Sequence, residues 1–125
     1  MRQWLWVQNE TQFRVVRSAN VNQSRFVEAV PQGAVGFIRY FDQILRPSLS
    51  KRCSALTNLH SSVLPWYRGP QPSYWLTRRG EHVAGYTLHD VTAEIDAGPV
   101  IEQECWSLEG RPTPSRFEYE AGLRG

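Results

Sequence analysis

Long apolar runs, lysine and cysteine are all scarce in this chain of 125 residues. No apolar run reaches 18 residues, so no segment is predicted to span a membrane. The opening MRQWLWVQNE also lacks the apolar core of a secretory signal. The two cysteines, Cys53 and Cys105, lie far apart without the spacing of a zinc site. They predict a buried pair of free thiols in a reducing cytoplasm, and no metal site is predicted.

Positive charge comes almost entirely from arginine, because Lys51 is the only lysine. The formal net charge of +2 is too small to indicate a nucleic-acid or membrane partner. Arginine suits bidentate contacts to phosphate or carboxylate, although a compositional bias in the coding DNA would give the same count. The chain is 41% hydrophobic and 21% charged. This composition is typical of one globular domain with a buried hydrophobic core.

Short apolar runs alternate with helical patterns along the chain. Five strands are predicted, over residues 13–21, 34–40, 55–60, 83–91 and 98–106. Helices are predicted within residues 21–30, 47–53 and 72–80 and after residue 113. The second strand is apolar enough to be buried on both faces, and Gly80 is the expected cap of the third helix. This order predicts an α/β fold with an open, mostly parallel sheet.

A polar cluster ends the third predicted strand, in the segment TNLHSSVLPWYRGP. Asn58 and His60 lie two residues apart, so their side chains point to one face at the strand end where such sheets bind ligands. Either residue could instead have a structural role. His60 could be a buried side chain whose hydrogen bonds are satisfied within the protein, and Asn58 could be a turn residue. Ser61 and Ser62 lack the Gly-x-Ser-x-Gly elbow of a covalent nucleophile.

Two segments together resemble the catalytic core of the folate-dependent formyltransferases. They are NLHSSVLPWYRGPQP and GYTLHDVTAEIDAGPVI, and the interval from His60 to Asp96 is 36 residues. The family carries Asn-x-His-x-Ser-x-x-Pro, then an Arg-Gly loop and an Asp in an Ile-Asp-x-Gly-Pro-Ile type of turn. The resemblance implies a partial Rossmann-like α/β sheet, with residues 21–125 as the catalytic core and 1–20 as a divergent N-terminal segment.

By this resemblance, Asn58, His60 and Asp96 form a catalytic trio. An amide N–H of Asn58 and a protonated His60 would stabilise the oxyanion that develops while a formyl group moves from a folate nitrogen to an amine. Asp96 would favour the imidazolium and help to relay the proton of the amine, without a metal. Taken alone, Asp96 could be an ordinary turn aspartate. His82 and His89 match no required position and are predicted to be surface or packing groups.

The resemblance also assigns binding residues. The pteridine of 10-formyltetrahydrofolate would lie against Phe41, Ile44, Leu45, Thr92, Ala93 and Glu94. The acceptor would contact Ser61, Ser62, Arg68 and Gly69. Ile44 and Leu45 would be buried in any α/β domain, and Arg68 could either bind an acceptor phosphate or pin its loop. The segments HSSVLPWYRG and PSYW look closest to the branch that formylates amino sugars on nucleotide carriers.

The βαβ segment that opens family members has no counterpart in MRQWLWVQNETQ. The resemblance therefore implies a core truncated at its N-terminus and completed by a second copy or a complementary fragment, because a partial sheet exposes an unpaired edge. Three hypotheses follow: an active cytoplasmic formyltransferase, a non-catalytic remnant that binds folate or a partner, and a formyltetrahydrofolate hydrolase. Nucleic-acid binding is not expected, since the Trp and Arg residues form no recognised motif.

Overall fold

The computed structural model of the chain describes residues 3–9, 12–110 and 113–124. These residues form six strands and four helices. The strands are β1 (Gln3–Asn9), β2 (Gln12–Ser18), β3 (Ala34–Arg39), β4 (Cys53–His60), β5 (Val83–Asp90) and β6 (Val100–Ser107). The helices are α1 (Ser24–Ala29), α2 (Pro47–Ser50), α3 (Pro72–Arg79) and α4 (Pro114–Arg124). Each predicted strand and helix is present within a few residues, and β1 is an additional strand.

The strands form two sheets. β1 and β2 pair antiparallel in a two-stranded sheet, with Gln3 opposite Ser18 and Asn9 opposite Gln12. The other sheet has four strands in the order β3-β4-β5-β6. This open sheet with its helices confirms the predicted α/β class.

The four-stranded sheet is mixed, with fewer parallel pairings than the sequence predicted. β3 and β4 begin side by side, because the N–H of Gly33 donates to the carbonyl of Arg52 at 2.7 Å, which indicates a parallel pair. β4–β5 and β5–β6 are antiparallel. The connection of residues 61–82 contains α3 but returns the chain at the end of the sheet where β4 stops. A helix between two strands therefore did not imply a parallel crossover here.

The chain divides into two compact units, unit 1 (Met1–Gly36 and Phe41–Leu56) and unit 2 (Phe37–Tyr40 and Thr57–Gly125). The buried core of unit 1 consists of Val21, Phe26, Val27, Val30 and Leu49. The buried core of unit 2 consists of Leu76, Ala84, Leu108 and Phe117. Helical spacing explains the first set in part, because Phe26 and Val27 form the apolar side of α1.

β3 is not buried on both faces, contrary to the prediction. Its side chains alternate, and Val35 is 80% exposed. An apolar run shows that a strand can be buried but not how many of its faces are covered, because coverage depends on distant segments. β3 is also an edge strand of the described sheet.

Local signals fixed the ends of α3 as predicted. Pro72 occupies the first turn, and Gly80 ends the helix in a left-handed conformation with φ 70°. None of the described helices is long and apolar enough to cross a membrane. Cys53 and Cys105 are free thiols, as predicted, but they are not a buried pair. Cys53 is partly buried and Cys105 is exposed, since it lies on β6 at the other edge of the sheet.

Candidate active site

Two neighbouring strands and one loop of unit 2 bring the predicted catalytic side chains together. Asn58 and His60 lie near the end of β4, and their side chains share one face of the sheet. In the antiparallel pairing of β4 with β5, Asn58 stands opposite His89. Asp96 lies in the loop of residues 91–99 between β5 and β6. The register therefore positions an amide and two imidazoles beside a single carboxylate.

Two hydrogen bonds converge on the Asp96 carboxylate. Its Oδ2 accepts the backbone N–H of Gly69 at 2.8 Å, and its Oδ1 accepts an Nδ2–H of Asn58 at 3.3 Å. The backbone of Asp96 has a φ of 46°, a left-handed conformation that aspartate tolerates better than most residues with a Cβ. Gly98 helps to close the loop, because a Cβ at that position would clash with the carbonyl oxygen of Asp90. The loop conformation thus aims the carboxylate at β4.

His60 is buried beside this carboxylate. Its Nε2 lies 2.8 Å from the carbonyl oxygen of Tyr67, which can only accept, so Nε2 carries a hydrogen. Its Nδ1 faces Asp96 Oδ2 at 3.6 Å, and a protonated His60 would therefore form an ion pair there. The three residues of the predicted trio lie in one cluster.

His89 also belongs to this cluster, and of the two predicted alternatives, a surface group or a packing group, its burial excludes the first. The residue is only 2% exposed, and its Nε2 lies 3.2 Å from Asn58 Nδ2 and 3.5 Å from Asp96 Oδ1. The signal that could have identified it is the strand register, which places it opposite Asn58. His82 is exposed, as predicted. Within the part of the chain that the structure describes, no three His, Cys, Asp or Glu side chains are arranged to hold a metal ion.

Ser62 supports the loop after β4, so its hydroxyl is already used within the protein and is not exposed for the predicted contact with the acceptor. It is fully buried, and its hydroxyl donates to the carbonyl of Trp66 at 2.8 Å. Its own carbonyl accepts the hydroxyl of Thr87 at 2.7 Å. Thr87 Oγ1 in turn accepts the N–H of Leu64 and an Nε2–H of Gln103. This buried network ties the loop to β5 and β6.

The other predicted acceptor residues lie along the same loop. Ser61 is partly buried, and Gly69 is committed to Asp96 through its N–H. Arg68 is exposed and pairs with Glu94 at 3.4 Å. An ion pair this exposed is screened by solvent and contributes little to stability. Arg68 can therefore exchange Glu94 for another anion at small cost.

The residues predicted to line the folate site fall in both units. In unit 1, Phe41 and Leu45 pack against the buried core cluster, whereas Ile44 is 70% exposed. The alternative that any α/β domain would bury Ile44 is therefore wrong. In unit 2, Thr92, Ala93 and Glu94 are all exposed at the start of the loop that carries Asp96. The assignment of these six residues to folate binding stays a prediction.

A cavity of about 720 Å³ in unit 2 opens beside the loop that follows β4. Its lining includes Trp66, Tyr67, Arg68, Trp75, Arg79 and Gly85. Tyr67 and Arg68 connect the cavity to the cluster, because the Tyr67 carbonyl bonds to His60 and Arg68 precedes the glycine that bonds to Asp96. The cavity offers indole rings for stacking and guanidinium groups for anions.

The family model for "Formyl transferase" matches residues 8–118, nearly the whole chain. The chain belongs to this family. The match begins inside the segment of residues 1–20 that was predicted to be divergent, and the boundary at residue 20 stays a prediction.

Solved structures of formyltransferases have the same fold. Phosphoribosylglycinamide formyltransferase from Bacillus halodurans is 27% identical, with a TM-score of 0.60 over 66% of this chain and 43% of that one. An N-formyltransferase from Helicobacter canadensis, in complex with folinic acid and dTDP-3-aminofucose, is 28% identical, with a TM-score of 0.66 over 76% and 35%. A formyltetrahydrofolate deformylase from Pseudomonas syringae is 34% identical, with a TM-score of 0.57 over 65% and 28%. The chain thus spans less than half the length of each of these structures.

Proposed function

We propose that this formyl transferase family member moves the formyl group of 10-formyltetrahydrofolate to a primary amine on a nucleotide-linked sugar. The convergence of Asn58, His60 and Asp96 on one point of unit 2 carries the proposal. These groups are a neutral donor, a donor that can become charged, and a base. Acyl transfer to an amine needs this combination, because a carbonyl oxygen gains negative charge while a nitrogen loses a proton.

Asn58 and His60 would supply the donors for the carbonyl oxygen. In the observed arrangement the Nε2–H of His60 is bonded to the Tyr67 carbonyl, and the Asn58 amide is bonded to His89 and Asp96. The substrate oxygen must therefore take the place of a protein acceptor at each donor. Donors that bind the oxygen more strongly as it becomes negative lower the barrier, typically by about 10²–10³ in rate for each donor.

Asp96 would serve as orienting anion and as base. Its carboxylate faces Nδ1 of His60 at 3.6 Å and would orient the ring and pair with it in its charged form. Its second oxygen can receive the proton that the attacking amine loses, directly or through water. The bound 10-formyltetrahydrofolate supplies the reactive formyl carbon. Phe41, Ile44, Leu45, Thr92, Ala93 and Glu94 remain the residues predicted to hold it.

The cavity beside Trp66 and Arg68 is where the remainder of the acceptor would bind. Indole faces suit a nucleotide base, and Arg68 and Arg79 suit its phosphates. The relative from Helicobacter canadensis, whose structure contains a dTDP-linked amino sugar, supports this acceptor class. Arg68 would then exchange its exposed partner Glu94 for a phosphate. A cytoplasmic location and completion by a second copy or a complementary fragment stay predictions.

Hydrolysis of formyltetrahydrofolate is a second candidate, favoured by the 34% identity to a formyltetrahydrofolate deformylase. Water would replace the amine at the same carboxylate, and the oxyanion donors would act unchanged. The two reactions differ in their products, because transfer yields a formylamide whereas hydrolysis yields formate.

Purified chain should be incubated with 10-formyltetrahydrofolate and, separately, with dTDP-linked amino sugars, glycinamide ribonucleotide or no amine. We expect release of tetrahydrofolate that depends on the amino sugar, and a loss of about 10²–10³ in rate in His60→Gln. His82→Gln, which changes an exposed histidine, is the matched control and should keep full activity. Amine-independent formate release would establish the hydrolase instead. No turnover with any acceptor, together with stabilisation by a folate analogue, would indicate a non-catalytic binding remnant.

A further inference from the structure

His89 occupies the centre of the cluster, although the proposed transfer assigns it no role. Its ring lies 6.5 Å from that of His60, centroid to centroid, and both imidazoles face the same carboxylate. The titratable groups around His89 are Asp96 from the loop, His60 from β4 and its own neighbour Asp90, whose carbonyl it contacts. A single carboxylate therefore faces two imidazoles.

The hydrogen bonds of His89 define which of its nitrogens carries the hydrogen. Nδ1 lies 2.8 Å from the carbonyl oxygen of Asp90, and a carbonyl can only accept. Nδ1 is therefore the donor, and in the neutral ring Nε2 has a lone pair. That lone pair accepts one Nδ2–H of Asn58 at 3.2 Å.

Asn58 consequently has no N–H left for a substrate while His89 is neutral. Its amide has two hydrogens, one directed to His89 Nε2 and the other to Asp96 Oδ1 at 3.3 Å. A proton on His89 Nε2 reverses this arrangement. The ring can no longer accept from Asn58, and its new N–H points at Asp96 Oδ1, which lies 3.5 Å away.

We propose that His89 is a positioning residue whose protonation releases Asn58 to bind the carbonyl oxygen. The inference rests on the proposed formyl transfer, and it says where the proton goes that the attacking amine loses. The N–H bond of the attacking amine breaks, Asp96 passes the proton on, and the Nε2–H bond of His89 forms. The resulting imidazolium pairs with Asp96, and the freed amide of Asn58 donates to the oxygen that has become negative. When the bond between the formyl carbon and the folate nitrogen then breaks, His89 returns the proton through Asp96 to that leaving nitrogen, and the neutral ring accepts from Asn58 again. Proton loss and oxyanion stabilisation are thereby coupled.

Kinetics of His89→Gln provide one test. A glutamine amide can still accept from Asn58 but cannot take up a proton. We expect kcat to fall about 10²-fold with little change in KM, and the pH–rate profile to lose one titrating limb. The control His82→Gln should retain the wild-type kcat and profile. A folded His89→Gln with wild-type kcat and an unchanged pH–rate profile would overturn the proposal.

Nuclear magnetic resonance tests the same idea without turnover and without a folded His89 variant. In the ¹⁵N-labelled wild-type chain, neutral His89 should carry its hydrogen on Nδ1. Acidification should add a proton at Nε2, and the side-chain amide signals of Asn58 should move over the same pH range. The inference would be refuted if the neutral ring of His89 carried its hydrogen on Nε2. It would also be refuted if the Asn58 amide signals did not change over the pH range in which His89 titrates. If no assay detects turnover, the proposed function fails and this measurement still decides the inference.

Discussion

The Asp96 carboxylate connects three separate parts of unit 2. It accepts hydrogen bonds from the loop after β4 through Gly69 and from β4 through Asn58, and it faces imidazoles on β4 and β5. A largely buried carboxylate is costly unless donors surround it, and here the donors belong to the proposed machinery itself. The contacts that stabilise the Asp96 carboxylate also keep it close to Asn58 and His60.

Single residues were predictable where a short motif carries them. Asn58, His60 and Asp96 stand out in the sequence because their types and spacing recur in the formyltransferases. His89 could not be recognised in that way, since its role depends on pairing with a strand 31 positions away. Ser62 failed for the opposite reason. It lies inside the motif, but its hydroxyl is used within the loop.

The two cysteines should react at different rates with iodoacetamide. Burial raises the pKa of the Cys53 thiol, an effect that the nearby Arg52 only partly offsets, so little reactive thiolate forms there. Cys105 is exposed on β6. We expect alkylation of Cys105 first, measured by peptide mass spectrometry. Equal rates at the two sites in the folded chain would contradict the described burial.

Tyr86 should make the chain less stable in strong alkali. The hydrogen bond to Glu102, together with burial, raises the pKa of Tyr86 from its ordinary value of 10.0 to about 12. A raised pKa means that the folded state favours the neutral phenol, so this stabilisation is complete below pH 10.0 and is lost as the pH approaches about 12. Urea unfolding across that window should show a falling free energy in the wild type.

Tyr86→Phe should flatten this decline, because residue 86 then has no phenol to ionise and the remaining decline comes from groups such as Tyr67, whose pKa burial and Glu81 also raise. Tyr119→Phe, which changes an exposed tyrosine, is the matched control and should follow the wild-type curve. A decline of the same steepness in Tyr86→Phe would exclude Tyr86 as its source.

At the level of elements, the loop of residues 91–99 has little room for substitution at Gly98. Its close return is secured by the N–H of Asp90, which donates to the carbonyl of Pro99 at 2.9 Å. Gly98 packs directly against the carbonyl of Asp90, where a Cβ would overlap backbone atoms that cannot move aside. The position of Asp96 therefore depends on a glycine that does no chemistry.

Gly98→Ala should destabilise the chain by about 1–3 kcal/mol, the usual cost of overpacking, and reduce formyl transfer through displacement of Asp96. Gly122→Ala in α4 is the control, because its Cβ would meet mainly the flexible end of Arg39. That variant should change the free energy of unfolding by no more than about 1 kcal/mol. Equal stability of the two variants, measured by urea unfolding, would show that the loop can relax.

Elements were predictable where local chemistry sets their limits. Pro72 and Gly80 mark both ends of α3 in the sequence itself. β1 was missed, and the two-sided burial of β3 was wrong, because pairing and coverage are decided by partners elsewhere in the chain. The prediction of a mostly parallel sheet missed the antiparallel pairing of β5 for the same reason. A helix lies between β4 and β5, yet the connection returns the chain on the side from which it left.

For the whole molecule, the central claim is that Asn58, His60 and Asp96 in unit 2 act together on a formyl group. The family match to residues 8–118 supports it, although the chain spans less than half the length of the solved relatives compared above. A cluster that acts as a unit has a recognisable kinetic signature. Once one member is removed, removal of a second costs little more.

The most direct test is therefore kcat/KM for formyl transfer in Asn58→Ala, Asp96→Asn and the double variant, with folding checked for each. We expect each single change to reduce kcat/KM by about 10²–10³. The kcat/KM of the double variant should lie within about tenfold of that of the less active single variant. Losses that multiply in the double variant, or single variants that keep the wild-type kcat/KM, would contradict the account.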